Sequence, residues 1–454
     1  MYRIFGSEKS LEGISVRKKV IRFISVLLIL IMSFSILTGC GKSNTKEITN
    51  IEDKGNKENN DISGSKGESP VEILKNKEED KKEEKDKNTE ETKGEQDKSQ
   101  DKKTEETKKE ENVVVIDGVT YKNYKGPVQG EKKYKEGTPA KKNSDEYKSS
   151  GDIESPYKVN LIVTTGFGHK KIFAKNVGMV KDEVGMEVLF RNLDIQTGYG
   201  GGFVNAINGI ESKYTFFTGD ERKKEDWFYW VNGILAPIGV AEYRPKPGDV
   251  IWWDYHDWSI TMFIPAVIGS YPQPFKSGFQ GKNPGTVILY TSSYANEAER
   301  LKKSLQKQGV TQIDIGKYDA TLIENPKKYY IVLGVWDDLV TQSNITNSKG
   351  KEINLMKDIN EKNKFVGVNS KFEGGKVHAL NFKGETVSSY DQGGAIYAYA
   401  AGIGSTKPIW VVTGTDDEGF KMAYNVLLNE PQKIKDCFGA VVSKNGVEKV
   451  PYLK

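Results

Sequence analysis

The sequence has 454 residues, of which 67 are Lys or Arg and 63 are Asp or Glu, so its formal net charge is +4. This near balance of charge, without a basic helix interleaved with aromatic residues, argues against a nucleic-acid-binding protein. Its two cysteines are Cys40 and Cys437. If Cys40 is modified, no intrachain disulfide remains, and the fold must depend on its hydrophobic cores.

The N-terminal segment has the pattern of a secretory signal. Basic residues at 17–22 precede an apolar run of about 15 residues (23–37), which is short of the roughly 20 that span a bilayer. Residues 37–40 read Leu-Thr-Gly-Cys, which resembles the lipobox of bacterial lipoproteins. The resemblance implies that residues 1–39 are removed and that Cys40 is lipidated. We therefore predict a lipid-anchored protein on the extracytoplasmic face of the cell membrane. The alternative is an uncleaved membrane helix that ends in a chance cysteine.

Residues 40–155 are predicted to form a disordered, Lys/Glu-rich stalk and linker. Between residues 41 and 112 there is no aromatic residue, and the few apolar ones cannot offset the entropy of ordering the chain. The alternative is a charged segment that binds wall polymers or lipid headgroups. Later in this stretch, the apolar run 113–116 followed by Asp117-Gly118 indicates a hairpin turn.

Alternating apolar residues and aromatic clusters then predict a β-rich domain at 156–279. In chain order, the predicted elements are a strand at 159–163, a short helix at 184–193, a strand at 226–231 that ends in the turn Asn232-Gly233, and an aromatic strand at 250–258. Asn-Gly accepts the positive φ angles that a two-residue hairpin turn requires.

Residues 227–258 combine an aromatic pair, an Asn-Gly turn, the segment 236–243 and a Pro-Gly-Asp turn before an aromatic strand. Together with residues 199–210, this pattern resembles the C-terminal β-domain of the vertebrate vitamin B12 carriers transcobalamin and intrinsic factor. A widespread family of functionally uncharacterised bacterial surface domains shares it. The resemblance implies an α+β domain that closes over one side of a corrinoid.

The resemblance also implies which residues contact the ligand. The matching positions are Gly201, Gly202, Phe203, Phe228, Trp230, Leu235, Ala236, Pro237, Ile238 and Gly239. Glycines let a ligand approach the backbone closely, and apolar side chains supply desolvated area. Gly200 stands where the carriers have an aromatic residue, and the chain has no counterpart of their helical barrel. The C-terminal domain or a partner must therefore complete a corrinoid site, or the ligand is a different one.

Other roles are open to the same residues. The aromatic residues Trp252, Trp253, Tyr255 and Trp258 suit a sheet core, and residues 200–202 suit a tight turn. His256 is a candidate axial ligand to cobalt, since a neutral imidazole binds such metals.

Residues 284–454 alternate strand and helix patterns. The predicted strands are 286–290, 329–334 and 408–412, and the predicted helices are 296–308 and 416–428. Such alternation predicts a doubly wound or three-layer α/β domain, with ligand sites beyond the carboxyl ends of its strands. The candidate segments are 291–293, 336–338 and 413–417. Alternatively, Thr415 to Glu418 form a capping box at the start of a helix.

The sequence contains no nucleophile elbow, serine-protease triad order or zinc-protease helix. We therefore predict no catalytic residue, resident metal or cofactor. The predicted function is a surface lipoprotein that binds a small molecule, with a corrinoid as the hypothesis, and captures it or delivers it to an importer. The alternative is a structural or adhesive module that binds a wall polymer or a protein partner. A hydrolase in the C-terminal domain is the third hypothesis.

Overall fold

The computed structural model describes residues 112–127, 145–215, 217–402 and 404–454. The predicted signal segment, Cys40 and the predicted stalk up to residue 111 lie outside the described residues. Within the described ranges, no helix is both long enough and apolar enough to cross a membrane.

The elements of the first half share a β-rich pattern. They are β1 (Val113–Ile116), β2 (Val119–Lys122), β3 (Asp145–Tyr147), β4 (Lys158–Thr165), β5 (Lys170–Gly178), α1 (Gly185–Asn192), β6 (Ile195–Gly198), β7 (Phe203–Ile207), β8 (Ile210–Glu211), β9 (Glu225–Val231), β10 (Ile234–Leu235) and β11 (Val250–Asp257). The strands predicted around 159–163, 226–231 and 250–258 and the helix predicted at 184–193 are all present.

The second half mixes helices and strands. Its elements are β12 (Thr286–Tyr290), α2 (Ala295–Lys307), β13 (Ile313–Lys317), α3 (Ala320–Glu324), β14 (Tyr329–Leu333), α4 (Trp336–Thr341), β15 (Asn344–Thr346), β16 (Glu352–Asn354), α5 (Leu355–Glu361), α6 (Asn363–Val366), β17 (Ser370–Glu373), β18 (Lys376–Leu380), β19 (Thr386–Tyr390), β20 (Gly393–Tyr399), β21 (Ile409–Gly414), α7 (Asp417–Asn429), β22 (Gly439–Ser443) and β23 (Gly446–Val450).

The N-terminal hairpin is formed as predicted. Strands β1 and β2 pair antiparallel through Asp117 and Gly118, whose φ angles are 49° and 75°. The described part of the predicted linker is not disordered, because Tyr121 and Tyr124 are buried in a small core with Ile153 and Val180. The described residues before 155 are therefore part of the folded body. Two tyrosines on a short hairpin supply the apolar area that the preceding Lys/Glu-rich stretch lacks.

A five-stranded sheet, in the order β10-β9-β11-β4-β5, forms the centre of residues 156–279, which we call the middle region. Strands β11 and β4 are parallel, and the other neighbours are antiparallel. Side chains alternate between the two faces. Leu161 and Trp253 belong to a core shared with α1 and a second sheet, β3-β6-β7-β8, whereas Ile162 and Trp252 belong to a separate core on the opposite face.

Residues 284–454, which we call the C-terminal region, are built on a seven-stranded sheet in the order β13-β12-β14-β21-β20-β22-β23. The first four strands are parallel and the last three antiparallel. Helices α2 and α7 pack on one face, and helices α3 to α5 with the small sheet β17-β18-β19 pack on the other. The chain is thus a multidomain α+β protein whose last part is a three-layer α/β structure. The antiparallel half of this sheet was not predicted.

The two regions share an interface. The Phe438 ring contacts those of Trp230 and Trp252, with centroid distances of 5.0 and 5.2 Å. Beside it, Lys171 forms an ion pair with Asp436 at 2.5 Å. The C-terminal region therefore covers the face of the middle sheet that lies opposite α1.

Candidate functional site

Two loops of the middle region lie side by side and form what we call the rim, residues 199–203 and 236–239. The first loop joins β6 to β7 and the second follows β10. A Cβ atom built on Gly239 would lie 3.9 Å from the backbone oxygen of Gly202, so the two loops are in contact distance. The fold therefore brings together six of the ten residues that the sequence assigned to ligand contact, namely Gly201, Gly202 and Phe203 with Pro237, Ile238 and Gly239, and Ala236 adjoins them.

The rim exposes an aromatic ring next to open backbone. Tyr199 is 54% exposed and has φ of 52°, a left-handed conformation that is uncommon for residues other than glycine. Its ring meets that of Phe203 edge-on at 6.0 Å. Gly200 and Gly201 also have positive φ, and a Cβ on either would meet nothing within 4 Å. The glycines are thus required by backbone conformation, and the space above them is free for a ligand.

The sequence prediction did not include Tyr199 among the candidate contacts. The comparison with the vitamin B12 carriers placed Gly200 at their aromatic position, and the structure presents an aromatic ring one residue earlier. A tyrosine directly before three glycines is the signal that could have identified it, because such a sequence favours an exposed turn.

The remaining predicted contacts lie elsewhere. Trp230 is 0% exposed, and its Nε1 donates a hydrogen bond to the Ile264 backbone oxygen at 2.9 Å. Phe228 and Leu235 pack against the same core. Direct ligand contact by Trp230 is therefore not available in this structure. The reason is strand alternation, since Phe228 and Trp230 point to the sheet face that Phe438 covers.

The aromatic strand β11 has a core role. Trp252 and Trp253 are buried on opposite faces, as the alternative interpretation predicted. His256 is also buried; its Nδ1 lies 2.9 Å from Asp254 Oδ1, and its ring stacks on Phe228 at 4.8 Å. Enclosed in this way, His256 is not placed to ligate cobalt at the rim.

In the C-terminal region, the three candidate segments do meet at the carboxyl ends of the parallel strands. The Thr291 hydroxyl lies 3.5 Å from Asp338 Oδ2, and the Tyr294 hydroxyl donates to Asp417 Oδ1 at 3.1 Å. Burial, with the neighbouring Asp417 carboxylate, raises the pKa of Tyr294. The phenol therefore stays protonated, and the polar groups here mainly bind one another.

The capping prediction was wrong by one residue. Asp416, not Thr415, is the N-cap of α7, and its carboxylate accepts from the Gly419 N–H at 2.7 Å. Asp337 and Asp338, in the candidate segment 336–338, occupy the first turn of α4. There they complement the positive end of the helix dipole.

Other buried ionisable groups serve the fold. Burial raises the pKa of the Cys437 thiol to about 12, so it is not a reactive thiolate at neutral pH. Burial also raises the pKa of Asp249, whose oxygens accept hydrogen bonds from Asn232 and the Lys246 N–H, each at 2.7 Å. Within the described part of the chain, no group of three or more His, Cys, Asp or Glu side chains is arranged to hold a metal ion.

Comparison with known proteins adds one finding to this geometry. No curated protein matches the chain. Residues 182–257, which include the whole rim and the aromatic strands β9 and β11, match the family described as Domain of unknown function (DUF4430).

Proposed function

We propose that this protein is a cell-surface lipoprotein that binds a small molecule at the rim and does not convert it chemically. The observation that carries the proposal is the coexistence of an exposed aromatic ring, Tyr199, with open glycine backbone at 200–202. Exposed apolar side chains beside backbone that no side chain covers are typical of ligand-contact surfaces. The DUF4430 match includes this surface, which supports placing a binding site of the domain there.

The geometry suits a flat ligand with polar edges. Tyr199 and Phe203 offer ring surface, while the glycine backbone can approach amide or hydroxyl groups without side-chain obstruction. A corrinoid has this chemistry and is the ligand implied by the resemblance to vitamin B12 carriers. Because the C-terminal region covers the opposite sheet face, through Phe438, the second half of a corrinoid site would come from a partner such as an importer.

The non-catalytic part of the proposal rests on the burial and hydrogen bonding of three groups that could otherwise act as a nucleophile or an acid. Cys437 is buried with a raised pKa, and the oxygens of Asp249 and Asp254 accept hydrogen bonds from the protein. A catalytic acid or nucleophile must lie within contact distance of the substrate. These groups instead hold neighbouring strands and turns together.

The anchor is tested by Cys40→Ser in cells grown with radioactive palmitate. We expect the variant to remain unlabelled and uncleaved, because the thiol is the proposed point of lipid attachment. Cys437→Ser is the matched control and should be labelled like the unaltered protein. Equal labelling of the Cys40→Ser variant would overturn the anchor.

The ligand is tested by titrating the full chain, purified in detergent, with cobinamide and cyanocobalamin while recording corrinoid absorption. We expect Tyr199→Ala to weaken binding about tenfold, in keeping with the energy of one aromatic contact. Phe365→Ala, another exposed aromatic residue, is the control and should bind normally. An unchanged spectrum with both corrinoids at tens of micromolar would exclude a corrinoid and leave the rim without its proposed ligand.

A further inference from the structure

A second candidate site lies where the middle and C-terminal regions meet, away from the rim. Two clefts with cavity volumes of about 250 and 370 Å³ share Asn160, Val250, Ser270 and Tyr271 as lining residues. They are therefore continuous, and we call them together the junction groove. The first cleft extends to the C-terminal region at Gln308 and 431–435.

The groove is lined by hydrogen-bonding groups and positive charge. Amide side chains come from Asn160, Asn176, Gln308 and other residues, and Asn160 and Asn176 are directly paired across β4 and β5. Three lysines also line it, namely Lys158, Lys276 and Lys435, and its lining includes no Asp or Glu. The local charge thus differs from the near-neutral balance of the whole chain, and it favours an anion.

Ser270 supplies a buried polar group in the wall of the groove. The residue is 4% exposed and lines both clefts, yet its Oγ has no hydrogen-bond partner among the described residues. A buried hydroxyl without a partner is costly, and this one gains a partner if the Ser270 side chain turns toward a molecule in the groove. Beside it, the Tyr271 hydroxyl accepts from Gln308 Nε2 at 3.3 Å and keeps its own hydrogen for donation.

We propose that the junction groove binds a phosphate-bearing polyol chain, the chemistry of anionic cell-wall polymers. Lysines act as point charges toward phosphates, while amide and hydroxyl groups bind polyol hydroxyls. Both clefts are partly open to solvent, whereas pockets for small molecules enclose most of their ligand. An open, continuous groove therefore suits a segment of polymer.

The lining favours a polyol phosphate over single-stranded nucleic acid. Nucleic-acid grooves stack successive bases on several aromatic side chains. The junction groove offers one aromatic residue, the half-buried Tyr271. The inference goes beyond the proposed rim ligand, and it does not depend on that ligand's identity.

The test measures binding of poly(glycerol phosphate) to the full chain in detergent at low salt. We expect the combined variant Lys158→Gln, Lys276→Gln and Lys435→Gln to bind about tenfold more weakly, as expected for three solvent-accessible charge contacts. The control combines Lys349→Gln, Lys317→Gln and Lys444→Gln, which removes the same charge from exposed lysines outside the groove. Equal weakening by the control would show general charge attraction and overturn the site.

A second variant tests the groove without a change in charge. Ser270→Ala should weaken polymer binding about threefold, the effect of one neutral hydrogen bond, and should leave the unfolding midpoint unchanged because its Oγ has no protein partner. Unchanged polymer binding by Ser270→Ala and by the triple groove variant would contradict the proposal.

Two further probes define the ligand class. Glycerol 3-phosphate should bind much more weakly than the polymer, and oligothymidylate of equal charge should not compete with it. Equal affinity for the monomer, or competition by oligothymidylate, would contradict a polyol-phosphate groove. Tyr199→Ala should not affect polymer binding, so loss of the groove site and loss of the rim site are separate outcomes.

Discussion

At the scale of single residues, two aromatic side chains in the family-matched segment have opposite surroundings. Tyr199 is mostly exposed on the rim, whereas Trp230 is fully buried against Trp252 and Phe438. Sequence reasoning assigned ligand contact to Trp230 and did not single out Tyr199, whose ring the structure exposes. Both are aromatic residues near glycines, and only their surroundings in the fold distinguish them.

We predict that Trp230→Ala lowers the free energy of unfolding by about 3–5 kcal/mol, because it leaves a large cavity in the core and an unpaired Ile264 carbonyl. Urea unfolding followed by far-ultraviolet circular dichroism measures this change. Phe203→Ala, at a partly exposed position, should cost about 1 kcal/mol or less. Similar stability of the two variants would contradict the core role of Trp230.

At the scale of elements, one buried carboxylate ties the β4–β5 connection to β11. Asp254 accepts hydrogen bonds from the backbone N–H groups of Phe167 and Gly168, both at 2.9 Å, and from the Thr164 hydroxyl at 2.5 Å. The Nδ1 atom of His256, on the same strand, lies 2.9 Å from the Asp254 carboxylate. The strand therefore fixes the turn that follows its parallel neighbour.

We expect Asp254→Ala to destabilise the protein by about 3 kcal/mol, since it leaves several buried donors without an acceptor. Asp254→Asn, which retains one acceptor oxygen, should have an intermediate effect. Asp257→Ala serves as the control because its one backbone partner, the Ser259 N–H, is exposed. The measurement is the urea midpoint, and an Asp254→Ala variant as stable as Asp257→Ala would contradict this role.

At the scale of the whole molecule, the middle and C-terminal regions share buried surface. Phe438 packs against both Trp230 and Trp252, and the Phe167 ring also contacts it at 5.6 Å. Residues of both regions belong to one continuous hydrophobic core, which joins Trp253 and Tyr229 to Trp410 and Phe420. Two regions joined by such a core should not unfold independently.

We therefore predict one unfolding transition for both regions. Tryptophan emission, which comes mainly from the middle region, should change at the same urea concentration as the far-ultraviolet signal of the whole protein. Phe438→Ala should shift both signals together, by about 3 kcal/mol, whereas the exposed Phe365→Ala should shift neither. Two separate transitions in the unaltered protein would show that the regions fold independently.

The sequence by itself determined the local elements. The strands at 158–165, 225–231 and 250–257 were predictable because side-chain alternation has a period of two. The turn at Asn232-Gly233 was predictable because this residue pair accepts positive φ angles, and the structure has φ angles of 54° and 78° there. Helix α2 was predictable from its apolar stripe, Ala298, Leu301 and Leu305. These features depend only on neighbours within a few residues.

Only the tertiary structure decided which surfaces are open. The burial of Trp230 depends on Phe438, which lies about 200 residues later in the chain, and no local sequence pattern predicts that contact. Likewise, the junction groove joins Asn160 to Gln308 and Lys435, and it lies where α2 and α7 end, away from the carboxyl ends of the strands where ligand sites were predicted. Burial is set by the packing of distant segments, so a sequence pattern can name an aromatic strand without revealing which face remains accessible.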